Sequence, residues 1–324
     1  MNGKVWLFAL ATMCCGPRLV EVDRTEFGFG SYIRIKALAP NKALLNRTVE
    51  KAFAEMFRLD TLWSSFLPGS EVATLNRTGR AAVSSDTREL INEALRVCAA
   101  TDGALDITVK PVLNAWGFTS AAPGGNEQDV TRDQWRVPDS VELARARSLV
   151  DFRQVLVRGD SVLLLEDAQI DLGAVAVGFA VDRAVEMLQA AGVNQGLIDA
   201  GGDIRVFGDR DWKIGLKNPR GEGVIRVFRV RNRAVSTSGD YEKFFEADGH
   251  RYHHIIDPCT GYPADKCASV TILAPTAFAA DAYATAVFVL GPDKGLEKVR
   301  EQEGMAAVVL VDSRDSLETY ETGR

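Results

Sequence analysis

Two apolar periodicities are interleaved along this 324-residue chain, and their order limits its fold more than any other feature. Residues 32–38 (YIRIKAL) alternate apolar and polar, as a half-buried strand does. Leu45, Val49, Ala52, Phe53, Met56, Leu59 and Leu62 recur at helical spacing within 42–63. A second helix is predicted over 86–101 with Asp86 as N-cap, and a short one over Val141 to Leu149. Strands are predicted around 153–158 and 161–166. From Ile170 to Gly192, three residues finish a strand, Gly173 and Gly178 bracket a turn, and a helix runs on to Gly192. Further strands are predicted at 196–207, interrupted by Gly201-Gly202-Asp203, and at 212–217, 224–230, 268–274 and near 306–311. A helix at 276–290 is closed by Gly291-Pro292. No βαβ rhythm repeats, which favours an α+β fold of mixed sheets and packed helices over a doubly wound sheet. Thr119 to Ser140, rich in Gly, Pro, Asn and Asp, reads as a surface loop or an internal boundary.

Composition removes several classes of function. Apolar content of 46% and charge of 25% are ordinary for a globular chain. A net charge of −6 with no long basic run argues against nucleic acid as a partner. No segment approaches the roughly 20 apolar residues needed to span a bilayer. Lys4, the apolar run Val5 to Met13 and then Cys14-Cys15 resemble a short export leader with a lipoprotein-type cysteine, so residues 1–15 are expected to be a leader and 22–324 the globular domain. The other cysteines, Cys98, Cys259 and Cys267, show no zinc-ligand spacing; Cys259 and Cys267 could pair in an oxidising compartment.

The chemistry-bearing residues are concentrated. All three histidines, His250, His253 and His254, lie within five positions, and two run into HHIIDPCTGYP (His253 to Pro263). Imidazole is the side chain whose proton moves most easily near neutral pH. Asp281 and Thr285 are four apart on the predicted helix 276–290, which stacks a carboxylate and a hydroxyl on one face amid alanines. Oxygen ligands of this kind suit Mg²⁺ rather than zinc, although a solvated helix face gives the same spacing. Asp171 stands at a strand end before the glycine turn, where it could meet a ligand's base or sugar or simply cap the helix. Gly201-Gly202-Asp203 marks either a close backbone approach or a β-bulge. Gly103 to Phe118 (GALDITVKPVLNAWGF) combines Asp106, Lys110, Asn114 and Trp116; a buried tryptophan is usually core. The GxG in Phe27 to Ile33 precedes a strand and lacks the third glycine of a dinucleotide fingerprint. Gly173 to Gly178 lacks the Lys and Ser/Thr of a P-loop.

Eight collinear segments together resemble the ApbE family of flavin transferases over nearly the whole mature chain: FGSYIRI (29–35 with its preceding glycine loop), LWSSFLPGSEVATLN, GALDITVKPVLNAWGF, IDLGAVAVGFAVDRA, LIDAGGDIRVFG, VSTSGDYEKFF, HHIIDPCTGYP and SVTILAPTAFAADAYATAVFVLG. The resemblance implies a single ApbE-like (T-fold-like) unit that binds FAD with Mg²⁺, moves its FMN half onto a threonine of an acceptor protein and releases AMP. It implies Asp281, Thr285 and the Ala174 carbonyl as metal ligands. It implies Phe29, Phe66, Ala104, Leu105, Asp106, Asp171, Val177, His254 and Ile255 at the nucleotide, and His254 as the catalytic histidine. Asp257 is a possible partner of His254, which would act as base or, protonated, stabilise phosphate charge. Phe29 replaces a frequent Met, Phe66 a usual Tyr, and Val177 a frequent Lys or Glu. The resemblance further implies an acceptor among membrane electron-transfer subunits and a lipid-anchored, periplasmic location. The alternatives are a periplasmic FAD-binding protein and an FAD diphosphatase.

Overall fold

The computed structural model describes residues 19–118, 134–314 and 316–322. The expected leader at 1–15 and most of the 119–140 loop lie outside them. Strands β1 (Val20–Gly28) and β2 (Ser31–Ala39) form a hairpin, followed by α1 (Lys42–Trp63), α2 (Glu71–Thr78), β3 (Arg80–Ala82), α3 (Ser85–Ala100), α4 (Lys110–Trp116) and α5 (Ser140–Arg147). Next come β4 (Val155–Arg158), β5 (Ser161–Leu164), α6 (Ala176–Ala190), β6 (Gln195–Ala200), β7 (Asp203–Phe207), β8 (Trp212–Lys217), β9 (Val224–Val230) and β10 (Ala234–Gly239). The chain ends with β11 (Phe244–Ala247), β12 (His250–His253), β13 (Ser269–Ala274), α7 (Ala277–Leu290), α8 (Pro292–Arg300), β14 (Ala306–Ser313) and β15 (Ser316–Glu321).

The α+β expectation holds. An eight-stranded sheet runs β1-β2-β6-β7-β10-β13-β14-β15, and every neighbouring pair is antiparallel. One face of the sheet presents Ile33, Ile35, Ile198, Phe207, Ile272 and Val309 to α1, α6 and α7, and this layer is the main core. The other face packs Val206 and Val235 against Ile214 and Val230 of the β8–β9 hairpin. Because side chains alternate across a strand, the central strands β6, β7, β10 and β13 feed both layers.

Local chemistry refines three boundaries. The N-cap of α3 is Ser84, which accepts from the Thr87 amide; Asp86 sits instead in the first turn, where its charge suits the helix dipole. Gly201 and Gly202 do not form a bulge within one strand: both have positive φ (65° and 104°) and turn β6 back onto β7 as a hairpin. Gly178 lies inside α6 rather than at its edge. Cys259 is exposed, Cys267 is buried, and both are free thiols.

The glycine at 178 has a packing reason. A Cβ there would lie 2.5 Å from the Ala277 carbonyl oxygen, so α6 and α7 approach each other through their backbones. The two helices also cap one another. Asp182 of α6 accepts from the Ala277 and Phe278 amides, both at 2.9 Å, at the start of α7. Asp281 of α7 accepts from the Gly178 amide at 3.1 Å in the first turns of α6, whose own N-cap, Val175, offers no side-chain acceptor. Each carboxylate thus fills an orphan donor of the opposite helix.

Two outcomes follow from this crossing. Gly178→Ala is expected to lower urea-unfolding stability by about 2 kcal/mol, since the helices must separate; an unchanged midpoint would remove the close approach as a constraint. Burial raises the Asp182 pKa from 3.8 to about 6, against the lowering by its two amide donors and Arg205. The stability that its retained proton contributes is present below pH 4 and is lost as pH rises through 6. The stability difference between wild type and Asp182→Asn should therefore move against the wild type from pH 4 to 7, and a pH-independent difference would contradict the assignment.

Candidate active site

The α6–α7 crossing puts Asp281 in a buried position whose electrostatics are unfavourable without a cation. Burial, then the nearby charge of Asp203, then that of Glu242 raise its pKa well above the usual carboxylate range, and the Gly178 amide opposes them. Asp203, at the start of β7, is pushed up to about 7 by burial and by Asp199, although the Ser236 hydroxyl donates to it at 2.5 Å. Glu242 is raised to about 7 by burial and by Asp203, but it keeps solvent access on one side, which softens the effect. Thr285 lies one turn beyond Asp281, its hydroxyl 3.4 Å from that of Ser238 on β10. Ala174 sits just before α6, in the segment that the Asp281–Gly178 bond ties to α7.

Among the described residues no group of three or more His, Cys, Asp or Glu side chains forms a metal cluster. That fits the donor set expected here, which has one carboxylate, one hydroxyl and one main-chain carbonyl. All are hard oxygens that leave positions for water and phosphate oxygens, the way Mg²⁺ is usually held. Crowded carboxyls with raised pKa values are what a divalent cation would relieve.

The three histidines have different environments. His253 is buried; its Nδ1 accepts from the Ile255 amide at 3.3 Å, so Nε2 carries the proton toward the Ala264 carbonyl at 2.8 Å. It is a structural residue that fixes the loop. His250 lies exposed on β12. His254 is held twice by one carbonyl: its amide donates to Lys243 O at 3.1 Å and its Nδ1 lies 3.3 Å from the same oxygen. A carbonyl can only accept, so Nδ1 bears the hydrogen and Nε2 is left as an unprotonated base. Burial, then Lys243 and His253, lower its pKa to about 3, so the ring is neutral at pH 7 in the unliganded protein. The expected pairing with Asp257 is not formed. The Asp257 carboxylate accepts from the Cys259 amide at 2.8 Å, and its carbonyl accepts from Gly261, which organises the turn.

A second cluster collects the residues expected at the nucleotide. Ser65, just after α1, donates to Asp171 Oδ2 at 2.8 Å, and Lys110 donates to Ser65 at 3.0 Å. Lys110 also lies 3.9 Å from Asp171 and 4.8 Å from the centre of the exposed Phe66 ring. Burial lowers the Lys110 pKa, with Asp171 opposing. The other Asp171 oxygen accepts from the Gly173 amide at 2.9 Å, so this carboxylate does cap its own turn. Phe29 occupies the β1–β2 turn at φ 51°, rare for a bulky residue, and its amide donates to Asp60 at 2.9 Å. Val177 is half-buried in the first turn of α6. Ala104, Leu105 and Ile255 are buried core, and only their backbones are available to a ligand. The Asp106 carboxylate is already engaged by Thr108, through its amide and hydroxyl, and by the Phe152 amide. Trp116 is core, as expected, and its indole donates to the Gly261 carbonyl at 2.8 Å.

The comparisons with known proteins give the family and the fold. The description of the ApbE family matches residues 29–309. The chain belongs to the ApbE family. A relative from Vibrio cholerae, named FAD:protein FMN transferase, is 31% identical, covering 97% of this chain and 96% of the relative. One of the same name from Treponema pallidum is 35% identical over 91% and 86%. Among solved structures, the ApbE protein of Thermotoga maritima superposes with a TM-score of 0.83 at 33% identity, covering 93% of this chain and 97% of that one. The apo flavinyl transferase ApbE of Pseudomonas stutzeri gives 0.80 at 30%, covering 94% and 95%.

Ser65, Asp182 and Glu242 were not among the candidate residues read from the sequence, and Lys110 and Asp203 were named there without a role. Lys110 and Asp203 lie inside segments that drew attention, but nothing local shows that Ser65 meets Asp171 across 106 positions. The tautomer of His254 can be checked directly. Nitrogen-15 NMR of the unliganded protein should show His254 neutral down to pH 5 with its hydrogen on Nδ1; an imidazolium there at pH 6 would refute the reading.

Proposed function

We propose that this ApbE-family enzyme is a Mg²⁺-dependent FAD:protein FMN transferase that attaches the FMN half of FAD to a threonine hydroxyl of an acceptor protein. The observation that carries the reading is the conjunction of Asp281 and Thr285 on α7 with a neutral, Nδ1-anchored His254. In the reaction, the threonine Oγ–P bond forms, the P–O bond to AMP breaks, and AMP leaves. The threonine proton passes to His254 Nε2, which the Lys243 carbonyl orients as acceptor. Asp281, Thr285 and the Ala174 carbonyl would hold Mg²⁺, which supplies charge neutralisation for the diphosphate when bound. Phe66 and Phe29 offer aromatic faces to the ring systems of FAD. Asp171, braced by Ser65 and Lys110, offers a carboxylate to a base or sugar.

Water in place of threonine would make the same site an FAD diphosphatase. The acceptor is a membrane electron-transfer subunit in this reading, and the leader-like residues 1–15 place the enzyme, lipid-anchored, on the periplasmic side; the support is the sequence resemblance and the Lys4-to-Cys15 pattern.

Asp281→Asn keeps an acceptor for the Gly178 amide while removing the anion, so it should retain the fold and lose transfer by at least about 100-fold. His254→Ala should lose about 100- to 10,000-fold. In-gel flavin fluorescence of a threonine-bearing acceptor, with FAD and Mg²⁺, reads both. Wild-type fluorescence in Asp281→Asn would overturn the metal assignment.

A further inference from the structure

A cavity of about 370 Å³ lies between the β8–β9 hairpin and the face of the main sheet turned away from α6 and α7. Its lining mixes apolar side chains, among them Ile204, Ile214 and Phe228, with polar ones, among them Lys217, Thr237 and Glu242. None of the residues assigned above to the nucleotide lines it.

Two of its polar residues nevertheless border the reaction centre. Lys243, next to Glu242, supplies the carbonyl that anchors His254, and Ser238, next to Thr237, has its hydroxyl 3.4 Å from that of Thr285. The proposed reaction has two substrates. The second is a protein segment, whose threonine must reach His254 from a side the nucleotide does not occupy. A pocket that combines aliphatic walls with hydroxyl and charged groups matches a threonine flanked by an apolar residue. The hairpin also leaves Val224 and Val227, each 58% exposed, on its solvent side, an apolar surface continuing the same element.

We propose that this cavity is the acceptor port: it takes an aliphatic side chain flanking the target threonine and so selects which threonines receive FMN. This rests on the transferase reading given above.

The test uses the full chain, FAD, Mg²⁺ and an array of synthetic peptides, each with one threonine and flanking positions scanned through Gly, Asp, Lys, Leu, Ile and Phe. Flavin fluorescence of each spot reports transfer, and AMP release without peptide reports turnover of FAD by water. Wild type should label peptides with a flanking Leu or Ile at least about tenfold better than those with Gly or Asp. Ile204→Trp, which places an indole in the cavity, should erase that preference and raise the peptide KM about tenfold, with the KM for FAD moving less than about twofold. Phe228→Ala widens the same wall and should shift the preference toward Phe, so the idea stays testable if the tryptophan variant misfolds. A flat flank preference, no labelled spot, or an FAD KM that rises with the peptide KM would overturn the port. Absence of AMP release from FAD in wild type would instead overturn the transferase reading itself.

Discussion

The reciprocal capping of α6 and α7 is the contact on which the site depends. Two helices touch backbone to backbone at Gly178, and each borrows a carboxylate from the other, in α7 beside its own Thr276 cap and in α6 in place of a side-chain cap. Asp182 is committed fully, with both oxygens bonded to amides. Asp281 is committed through one oxygen to one amide. The same crossing therefore fixes the backbone of α7 and leaves an anionic oxygen directed by helix geometry rather than by a flexible loop. Sites on rigid elements hold their geometry more accurately than sites on loops.

This arrangement sets stability against function. Asp203 and Glu242 raise the proton affinity of the buried Asp281, and Asp203 raises that of the more exposed Glu242. A core optimised only for folding would not place three carboxyls so close. In the transferase reading a divalent cation would relieve this conflict, and without one the carboxyls keep their protons more tightly. In the other cluster Lys110 is buried beside Asp171 and Ser65, so there a carboxylate already has its counter-charge.

Much of the fold was legible because it is written in local periodicity. The α1 stripe, the alternation of β2 and the alanine-rich α7 all appear where apolar spacing put them. Several elements that were not foreseen lack such signals, whereas β1, α2 and α8 carry an apolar pattern that was passed over. β15 is largely exposed, β3 has three residues, and β11 and β12 are short strands. Gly201-Gly202 read equally well as a bulge or a turn, because only the pairing partner distinguishes them. In the site, the Asp281–Thr285 spacing was visible along one helix. Histidine identity showed where the base would be, but not that His253 is spent on a carbonyl while its neighbour is not. Asp257 was a sequence neighbour whose carboxylate turned inward to its own loop. Contacts such as Ser65 with Asp171 depend on long-range closure and have no local signature.

Trp116 gives the His254 segment a mechanical connection outside the main sheet. Its ring packs among Phe118, Phe245, Tyr252 and Tyr262, and its indole grips the Gly261 carbonyl. The aromatic cluster therefore works as a stiff bracket: the loop that presents the base is braced at one end by the β11–β12 ribbon and at the other by α4. Loosening that bracket would let the imidazole drift without touching Asp281 or Thr285 on α7, so the position of the ring is set from outside the helix pair.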